Sequence, residues 1–239
     1  RALWVQRGIR SVGLRGAVGR VHHPHQRRLT VDGRHLRDDP LGDPGCARER
    51  DRSEQVEPVA TRPFDADTPL PTVNPLGKVP TLLLDSGEYL AGGPVIYEYL
   101  DSLHRRRRLY PAKGAQRWTT LRQAWMADGL FDTFVLIIVE SWQPPEQQRN
   151  DYLQRCWSKV VAILDQIERD VPGYQRLDIG QMRTVGALQF LRLKLPTVGK
   201  AARGIDPMYD LTSGRPRLAE WLKPLARKKL FREPLLKPE

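Results

Sequence analysis

Apolar residues recur at strand-like and then helix-like spacings from about residue 56 onward. Residues 56–59 predict a short strand, and the polar, proline-rich residues 61–71 predict a loop. The apolar run Leu82–Leu84 predicts a second strand, and residues 85–88 are typical of a hairpin turn. Residues 89–90 then predict a short partner strand, so this part of the chain favours a small antiparallel hairpin.

A glycine pair and a proline mark the start of a helix after this hairpin. Pro94 is suited to the first helical position, because the N–H that proline lacks would have no partner there. The apolar residues that follow at helical spacing are Val95, Ile96, Tyr99, Leu100 and Leu103. A linker over residues 105–114 is predicted next, with Pro111 as a helix breaker.

The chain beyond the linker has the period of amphipathic helices. A first helix is predicted over about residues 115–142, with an apolar stripe of Leu121, Trp125, Leu130, Phe134, Ile137 and Ile138. Pro144 and Pro145 are expected to end it and to begin a second helix. The apolar face of that second helix is Leu153, Trp157, Val160, Val161, Leu164 and Ile167.

Two further helices have recognisable starts. Asp178 is a predicted N-cap, and Gln181 three residues later is the return partner of a capping box. This third helix is expected to continue to Pro196, and a last helix is predicted from Pro216. A β–α unit followed by four helices favours two domains.

Residues 1–52 follow neither pattern. They are rich in arginine, contain no lysine, phenylalanine or tyrosine, and are interrupted by glycine and proline at every candidate helix. Four of the five histidines lie here, but no cysteine or carboxylate stands at a spacing that suits a metal site. We therefore expect an aberrant or disordered arginine-rich segment and no metal.

Composition narrows the classes of function. The 239 residues are 40% apolar and carry a formal net charge of +11. No apolar run is long enough for a transmembrane helix and no secretory signal is recognisable, so we expect a cytoplasmic protein without a membrane partner. Cys46 and Cys156 lack partners at metal spacing and favour a reducing compartment. The basic charge allows a nucleic-acid-binding module, although no recognised motif supports one.

Several stretches resemble those of a known family. Residues 74–90 read NPLGKVPTLLLDSGEYL and residues 93–104 read GPVIYEYLDSLH. Together they resemble the second half of the thioredoxin-like domain of the glutathione S-transferase family. Residues 178–191, DIGQMRTVGALQFL, and residues 214–226, GRPRLAEWLKPLA, resemble two helices of that family's all-helical domain.

The resemblance implies an α+β fold, in which a partial thioredoxin-like domain precedes an all-α helical bundle. The expected domains are an aberrant segment over residues 1–52, a glutathione-binding thioredoxin-like domain over 53–104, a linker over 105–114 and the all-α domain over 115–239. We hypothesise that the first segment is not a native family N-terminus and comes from a shifted reading frame, a wrong start or an assembly error.

The glutathione-binding residues that the resemblance implies are Lys78, Val79, Pro80, Gly92, Gly93 and Asp128. Proline belongs at the first residue or the edge of a strand because it has no N–H, and an X-Pro bond there tolerates the cis form. The N–H and C=O of Val79 match the family position that pairs with the cysteinyl unit of glutathione. Lys78 matches a position that meets the glycyl carboxylate, and is otherwise a solvated loop lysine.

The remaining implied residues depart from the family pattern or stand alone. Gly92 and Gly93 occupy the place where the family usually has an acidic residue or glutamine followed by serine, which recognise the γ-glutamyl group. The N–H groups of this helix N-terminus can still hold a carboxylate, but we expect weakened or altered recognition. Asp128 would supply a carboxylate near a dimer axis, and is otherwise an ordinary surface residue.

The family's chemistry needs a group that this sequence does not identify. A thiol with a pKa of about 8.5 must be held as thiolate, which takes a hydrogen-bond donor and a positive local field. In the family this donor is a serine, tyrosine or cysteine in the first strand–helix turn. Its place falls near residues 30–40, where Thr30 is the only hydroxyl, and Ser11, Cys46 and Ser53 are off in spacing. The catalytic residue is therefore unassigned.

Three functions remain open from the sequence. The first is a glutathione S-transferase-like protein that conjugates or reduces an apolar electrophile. It is expected to use glutathione as co-substrate, to need no metal and to work as a homodimer. The second is a non-catalytic binding or structural protein of the same fold. The third is the basic nucleic-acid-binding module. The sequence does not name the second substrate.

Overall fold

The computed structural model describes residues 2–5, 16–21, 56–61, 63–103, 108–174 and 177–225. The chain divides into two compact units, Arg1–Arg107 and Arg108–Glu239, and the division falls inside the predicted linker. No helix of the described ranges is both long and apolar enough to cross a membrane.

Within the described ranges, unit 1 consists of one mixed sheet and two helices. The strands are β1 (Ala2–Val5), β2 (Gly16–Val21), β3 (Val56–Thr61), β4 (Thr81–Leu84) and β5 (Tyr89–Ala91), and the helices are α1 (Leu70–Val73) and α2 (Gly93–Ser102). The strand order is β1-β3-β2-β4-β5. β1 is parallel to β3, and β2 is antiparallel to β3 and parallel to β4. β5 closes the other edge antiparallel to β4.

The predicted hairpin and the helix that follows it form one small core. The Leu84 N–H donates to the Glu88 carbonyl at 2.8 Å and so closes the turn between β4 and β5. Leu82 on β4 and Ile96 on α2 are each only 1% exposed. The partly buried residues that pack against this pair are Leu84, Leu90, Tyr99, Leu100 and Leu103. The apolar spacing read from the sequence therefore marks the face of α2 that meets the sheet.

Unit 2 is helical throughout its described residues. Its helices are α3 (Ala115–Glu140), α4 (Asn150–Asp170), α5 (Ile179–Ala201) and α6 (Pro216–Leu225), with a 3-10 turn at Val171–Gly173. α3 packs against both α4 and α5. The fully buried core side chains include Leu130, Phe134, Ile137 and Ile138 of α3, Leu153, Val160 and Leu164 of α4, and Leu191 of α5. The predicted fold class, a thioredoxin-like domain followed by an all-α domain, is confirmed.

The apolar stripe predicted for α3 is wrong at one end. Leu130, Phe134 and the two isoleucines are buried, but Trp125 is 71% exposed. The buried positions in the first half of α3 are instead small or polar, namely Thr120, Gln123, Ala124 and Ala127. These four residues form an i, i+3, i+4, i+7 stripe that does not include position 125, and Gly180 of α5 packs closely against Thr120 and Gln123 of this stripe.

Two helix ends differ from their predictions. α4 begins at Asn150 rather than at the prolines, because the Glu140 carboxylate accepts hydrogen bonds from the backbone N–H and the guanidinium of Arg149 and holds the loop closed. α5 continues to Ala201 through Pro196. Pro196 is exposed, and so is Arg192, whose carbonyl would otherwise accept the hydrogen bond that proline cannot donate.

The predicted N-cap of α5 is confirmed. The Asp178 carboxylate accepts a hydrogen bond from the Gln181 N–H at 3.1 Å and a second one from the Thr120 hydroxyl at 2.8 Å. The cap therefore also ties α5 to α3.

The sequence predicted no strand before residue 56, whereas the structure has β1 and β2 there. β2 reads GAVGRV, and its glycines break the alternation that signals a strand. β2 nevertheless pairs along both of its edges, from Gly16 to Val21 with β3 and from Val18 to Val21 with β4. The structure also places the short helix α1 at the end of the predicted 61–71 loop.

Candidate functional site

The turn between α1 and β4 carries three of the predicted glutathione-binding residues, Lys78, Val79 and Pro80. The peptide bond between Val79 and Pro80 is cis. The Val79 side chain packs against the buried Leu70 of α1. Thr81, the first residue of β4, follows directly. The turn is therefore anchored on both sides, by α1 through an apolar contact and by the sheet through β4.

The backbone of Val79 is the part of this turn that the sequence predicts to pair with a ligand. No residue that the structure describes hydrogen-bonds to its N–H or its C=O. The Lys78 side chain beside it is exposed. A backbone donor and acceptor next to each other can pair with an extended peptide in the same way as a strand edge does.

Two buried polar side chains, those of Asn74 and Thr81, form hydrogen bonds with the backbone of this turn. Asn74 and Thr81 are each only 1% exposed. The Asn74 amide donates to the Lys78 carbonyl at 3.1 Å and to the Thr81 hydroxyl at 2.9 Å, and the Thr81 hydroxyl donates to the Lys78 carbonyl at 2.8 Å. The Leu76 N–H in turn donates to Asn74 Oδ1 at 3.0 Å, which closes an Asx-turn.

The structure brings the glycine pair next to this turn. The Gly92 N–H donates to the Pro80 carbonyl at 3.1 Å, and the Gly92 carbonyl accepts from the Ile96 N–H at 3.1 Å. Gly92 has a φ of +85°, in the region that favours glycine. Because Pro94 has no N–H, the first turn of α2 offers the N–H groups of Gly93 and Val95 to an anion. Neither glycine provides a side-chain partner.

Asp128 lies in unit 2, on α3. Its carboxylate forms an ion pair with the guanidinium of Arg183 on α5, and the two side chains are 16% and 11% exposed. Such an enclosed carboxylate needs a counterion, and Arg183 supplies one. A role for Asp128 toward glutathione stays a prediction.

The candidate positions for a catalytic hydroxyl or thiol lie outside the described residues. The predicted turn near residues 30–40, with Thr30, and the alternatives Ser11, Cys46 and Ser53 all lie there. The four histidines of the first segment lie there as well. Among the described residues, no group of three histidine, cysteine, aspartate or glutamate side chains could hold a metal ion.

A cavity of about 220 Å³ lies in unit 2, between the C-terminal half of α5 and residues 207–212. Its walls are largely apolar, with Leu188, Leu195 and Leu222 among the lining residues, and Arg192 also lines it. None of the predicted glutathione-binding residues lines this cavity.

Sequence reasoning missed Asn74 and Thr81 as parts of the site. In the sequence, Asn74 stands out only as the first residue of the stretch NPLGKVPTLLLDSGEYL. A usable signal was present, because an asparagine that starts a turn and a threonine that immediately follows the proline are both short polar side chains able to bond nearby backbone.

Comparisons with known proteins identify the family of this chain. The family model described as "Glutathione S-transferase, N-terminal domain" matches residues 46–103. An uncharacterized GST-like protein of Escherichia coli K12, YibF, is 30% identical over 138 residues, which are 55% of this chain and 68% of that protein.

Solved structures with similar folds include two glutathione transferases. A family member from Pseudomonas fluorescens Pf-5 with bound glutathione has 29% identity and a TM-score of 0.61, over 68% of this chain and 76% of that one. A glutathione S-transferase from Methylobacillus flagellatus with bound glutathione has 25% identity and a TM-score of 0.63, over 73% and 83% of the two chains. With the thioredoxin-like sheet, the Lys78–Pro80 turn and the capped helix α5, these matches show that the chain belongs to the glutathione S-transferase family.

Proposed function

We propose that this chain binds glutathione at the Lys78–Pro80 turn and at the first turn of α2, and that it transfers the glutathione thiol to an apolar electrophile or reduces that electrophile. The observation that carries the proposal is that no described residue forms a hydrogen bond with the N–H or the C=O of Val79. Two similar solved structures contain glutathione, which supports the same ligand here.

Each part of the tripeptide has a partner of suitable chemistry in this proposal. The cysteinyl unit pairs with the Val79 backbone, and the glycyl carboxylate meets the exposed ammonium of Lys78. The γ-glutamyl carboxylate is held by the N–H groups at the start of α2, since anions are favoured at a helix N-terminus. The hydrogen bond from Gly92 to Pro80 holds these partners next to each other.

One observation favours a second candidate, a protein of this fold that binds glutathione without turnover. Gly92 and Gly93 provide no side chain for the γ-glutamyl amine and carboxylate, so binding relies on backbone donors alone. We expect weaker affinity for glutathione than a site with charged partners would give, because hydrogen bonds to charged groups contribute more than neutral ones.

Thermal unfolding with and without glutathione tests the shared part of both candidates. A ligand that binds only the native state raises its Tm, and we expect a rise at millimolar glutathione that free cysteine at equal concentration does not reproduce. No rise with glutathione would contradict both candidates. Conjugation of a generic aryl halide above the uncatalysed rate then separates the enzyme from the binding protein.

We also propose a homodimer and a cytoplasmic location for the protein. Trp118 and Trp125 are 70% and 71% exposed, and their spacing of seven residues places both indoles on one face of α3. Exposed apolar groups of this size, side by side, are typical of an interface. Sedimentation equilibrium should give twice the chain mass, and a Trp118→Glu, Trp125→Glu variant should give the single chain mass. A Met208→Glu variant, at an exposed residue elsewhere, is the control.

A further inference from the structure

We propose that Asn74 and Thr81 are positioning residues, which hold the Lys78 carbonyl inward and thereby direct the Val79 N–H toward the carbonyl of a bound cysteinyl unit. This inference rests on the proposed function, because it takes glutathione as the ligand of Val79. It adds two residues to the site that neither touch the ligand nor belong to the set read from the sequence.

The first step is the double hydrogen bond on one carbonyl. The Lys78 C=O accepts from Asn74 Nδ2 at 3.1 Å and from Thr81 Oγ1 at 2.8 Å. Asn74 and Thr81, which carry the two donors, are each only 1% exposed. The carbonyl therefore points into the protein, where two donors match its two lone pairs.

The second step follows from the planarity of the peptide unit. The Lys78 C=O and the Val79 N–H belong to the same peptide group, and in a planar trans peptide the two bonds point in opposite directions. A carbonyl held inward therefore directs the N–H outward. This accounts for the observation that no described residue accepts a hydrogen bond from the Val79 N–H.

The third step is that the hydrogen bonds of Asn74 and Thr81 favour a single orientation of the Lys78–Val79 peptide. Asn74 Nδ2 uses both of its N–H groups, on Lys78 and on Thr81, while Oδ1 accepts from the Leu76 N–H. A rotation of the Lys78–Val79 peptide would leave buried donors without an acceptor, which folded proteins avoid. The direction of the Val79 N–H is thus set before a ligand arrives, and preorganised donors bind more tightly.

The test measures reduced glutathione binding to the full chain by isothermal titration calorimetry. Thr81→Val keeps the size and β-branching of the side chain but removes the hydroxyl, and we expect its Kd to rise about tenfold, as for the loss of one buried hydrogen-bond partner. Thr81→Ser keeps the hydroxyl, and its Kd should stay within about twofold of the original value. An unchanged Kd in Thr81→Val would overturn the inference.

Asn74→Asp is a second variant, which removes the other hydrogen-bond donor to the Lys78 carbonyl. Its carboxylate still accepts from the Leu76 N–H, so the Asx-turn is kept, but it has no N–H for the Lys78 carbonyl. We expect weaker glutathione binding here too. Thermal unfolding without ligand shows whether each variant is folded at the temperature of the titration, and a folded Asn74→Asp variant with unchanged Kd would also count against the inference.

A modified ligand separates positioning from general destabilisation. A glutathione analogue with a methylene in place of the cysteinyl carbonyl cannot accept from the Val79 N–H, so Thr81→Val should cost it no further affinity. An equal loss with glutathione and with the analogue would mean that Thr81 acts by another route, and would overturn the inference. If the original chain fails to bind glutathione at all, the proposed function is wrong; if it binds and the Thr81 variants match it, only the inference is wrong.

Discussion

A glycine stands where α3 and α5 approach most closely. A Cβ atom added at Gly180 would lie 2.9 Å from the Cβ of Gln123 and 2.9 Å from the Thr120 carbonyl oxygen. These contacts are shorter than van der Waals distances, so the two helices would have to move apart. We expect Gly180→Ala to lower the free energy of unfolding by about 1–3 kcal/mol, as overpacked cores do, measured by urea denaturation.

Gly186 offers the matched control on the same helix. A Cβ atom there would meet no atom within 4 Å. Gly186→Ala should therefore be neutral or stabilising by up to about 1 kcal/mol, because alanine has the higher helix propensity. Equal losses in the two variants would show that the close approach at Gly180 is not the cause.

Glu140 makes the stability depend on pH. The hydrogen bonds that its carboxylate accepts from the Arg149 side chain, and then from the Arg149 backbone N–H, lower its pKa below the ordinary value of 4.5. A carboxyl whose pKa is lowered by folding stabilises the protein above its unfolded pKa, and this contribution is lost as the pH falls through the folded pKa.

The stability difference between the original chain and Glu140→Gln should therefore be largest near neutral pH and shrink below pH about 4.5. Urea denaturation at several pH values between neutral and acidic measures it. Glu146→Gln, at an exposed glutamate of the same loop, should show no such trend. A Glu140→Gln difference that stays constant with pH would contradict the assignment.

Single residues of the site were predictable only where their role depends on local sequence. Val79 and Pro80 could be read from a proline that stands just before an apolar run. The bonds from Asn74 to residues 78 and 81 exist only once the turn is closed. The partner of Asp128 is Arg183, 55 positions along the chain, and no local pattern connects the two.

At the scale of elements, a side chain of α4 caps the N-terminus of α6. Glu168 of α4 accepts hydrogen bonds from the Arg217 N–H at 3.1 Å and the Leu218 N–H at 2.7 Å, in the first turn of α6. Its negative charge also suits the positive end of the α6 dipole. The Glu168 carboxylate therefore caps the N-terminus of α6 as an N-cap residue would, although it lies about 50 positions earlier in the sequence.

We expect Glu168→Ala to lower the free energy of unfolding by about 1 kcal/mol, as for the loss of an N-cap. Thermal or urea unfolding measures this change. Glu220→Ala provides the control, because Glu220 and its partner Lys223 are 72% and 68% exposed and such surface pairs contribute little. A Glu168→Ala variant as stable as the control would mean that the cap is not needed.

The helices were predictable to within a few residues where periodicity and caps agree, as at the start of α3, at Asp178 and at Pro216. Their ends failed where a contact from elsewhere decides them. The Glu140–Arg149 pair delays the start of α4, and the exposed position of Pro196 lets α5 continue past a residue that usually ends a helix.

At the scale of the whole molecule, the order of elements from residue 56 onward sufficed to predict the fold class. The two strands before it did not follow from the sequence, because pairing of β2 relies on backbone hydrogen bonds, to which glycine contributes as well as valine. Whether residues 1–52 are a native family N-terminus stays a prediction.

The position of β2 in the sheet makes it possible to test whether residues 1–52 belong to the fold. β2 lies between β3 and β4 in the sheet and pairs with both. A chain that lacks residues 1–52 loses β1 and β2 together, so β3 has no partner on either edge and β4 keeps only β5. Unpaired strand edges invite association with other chains.

We expect this shortened chain to unfold at a Tm lower by at least about 5 °C, since the loss of several kcal/mol shifts the Tm of a chain of this size by this much or more. It should also scatter more light than the full chain at equal concentration. Deletion of residues 1–5 is the matched control, because β1 lies at the sheet edge and pairs with β3 alone along the strand order. Equal Tm and scattering for the full chain and the chain lacking residues 1–52 would show that β2 adds nothing to the stability of the sheet, and would favour the hypothesis that the first segment is foreign to the family fold.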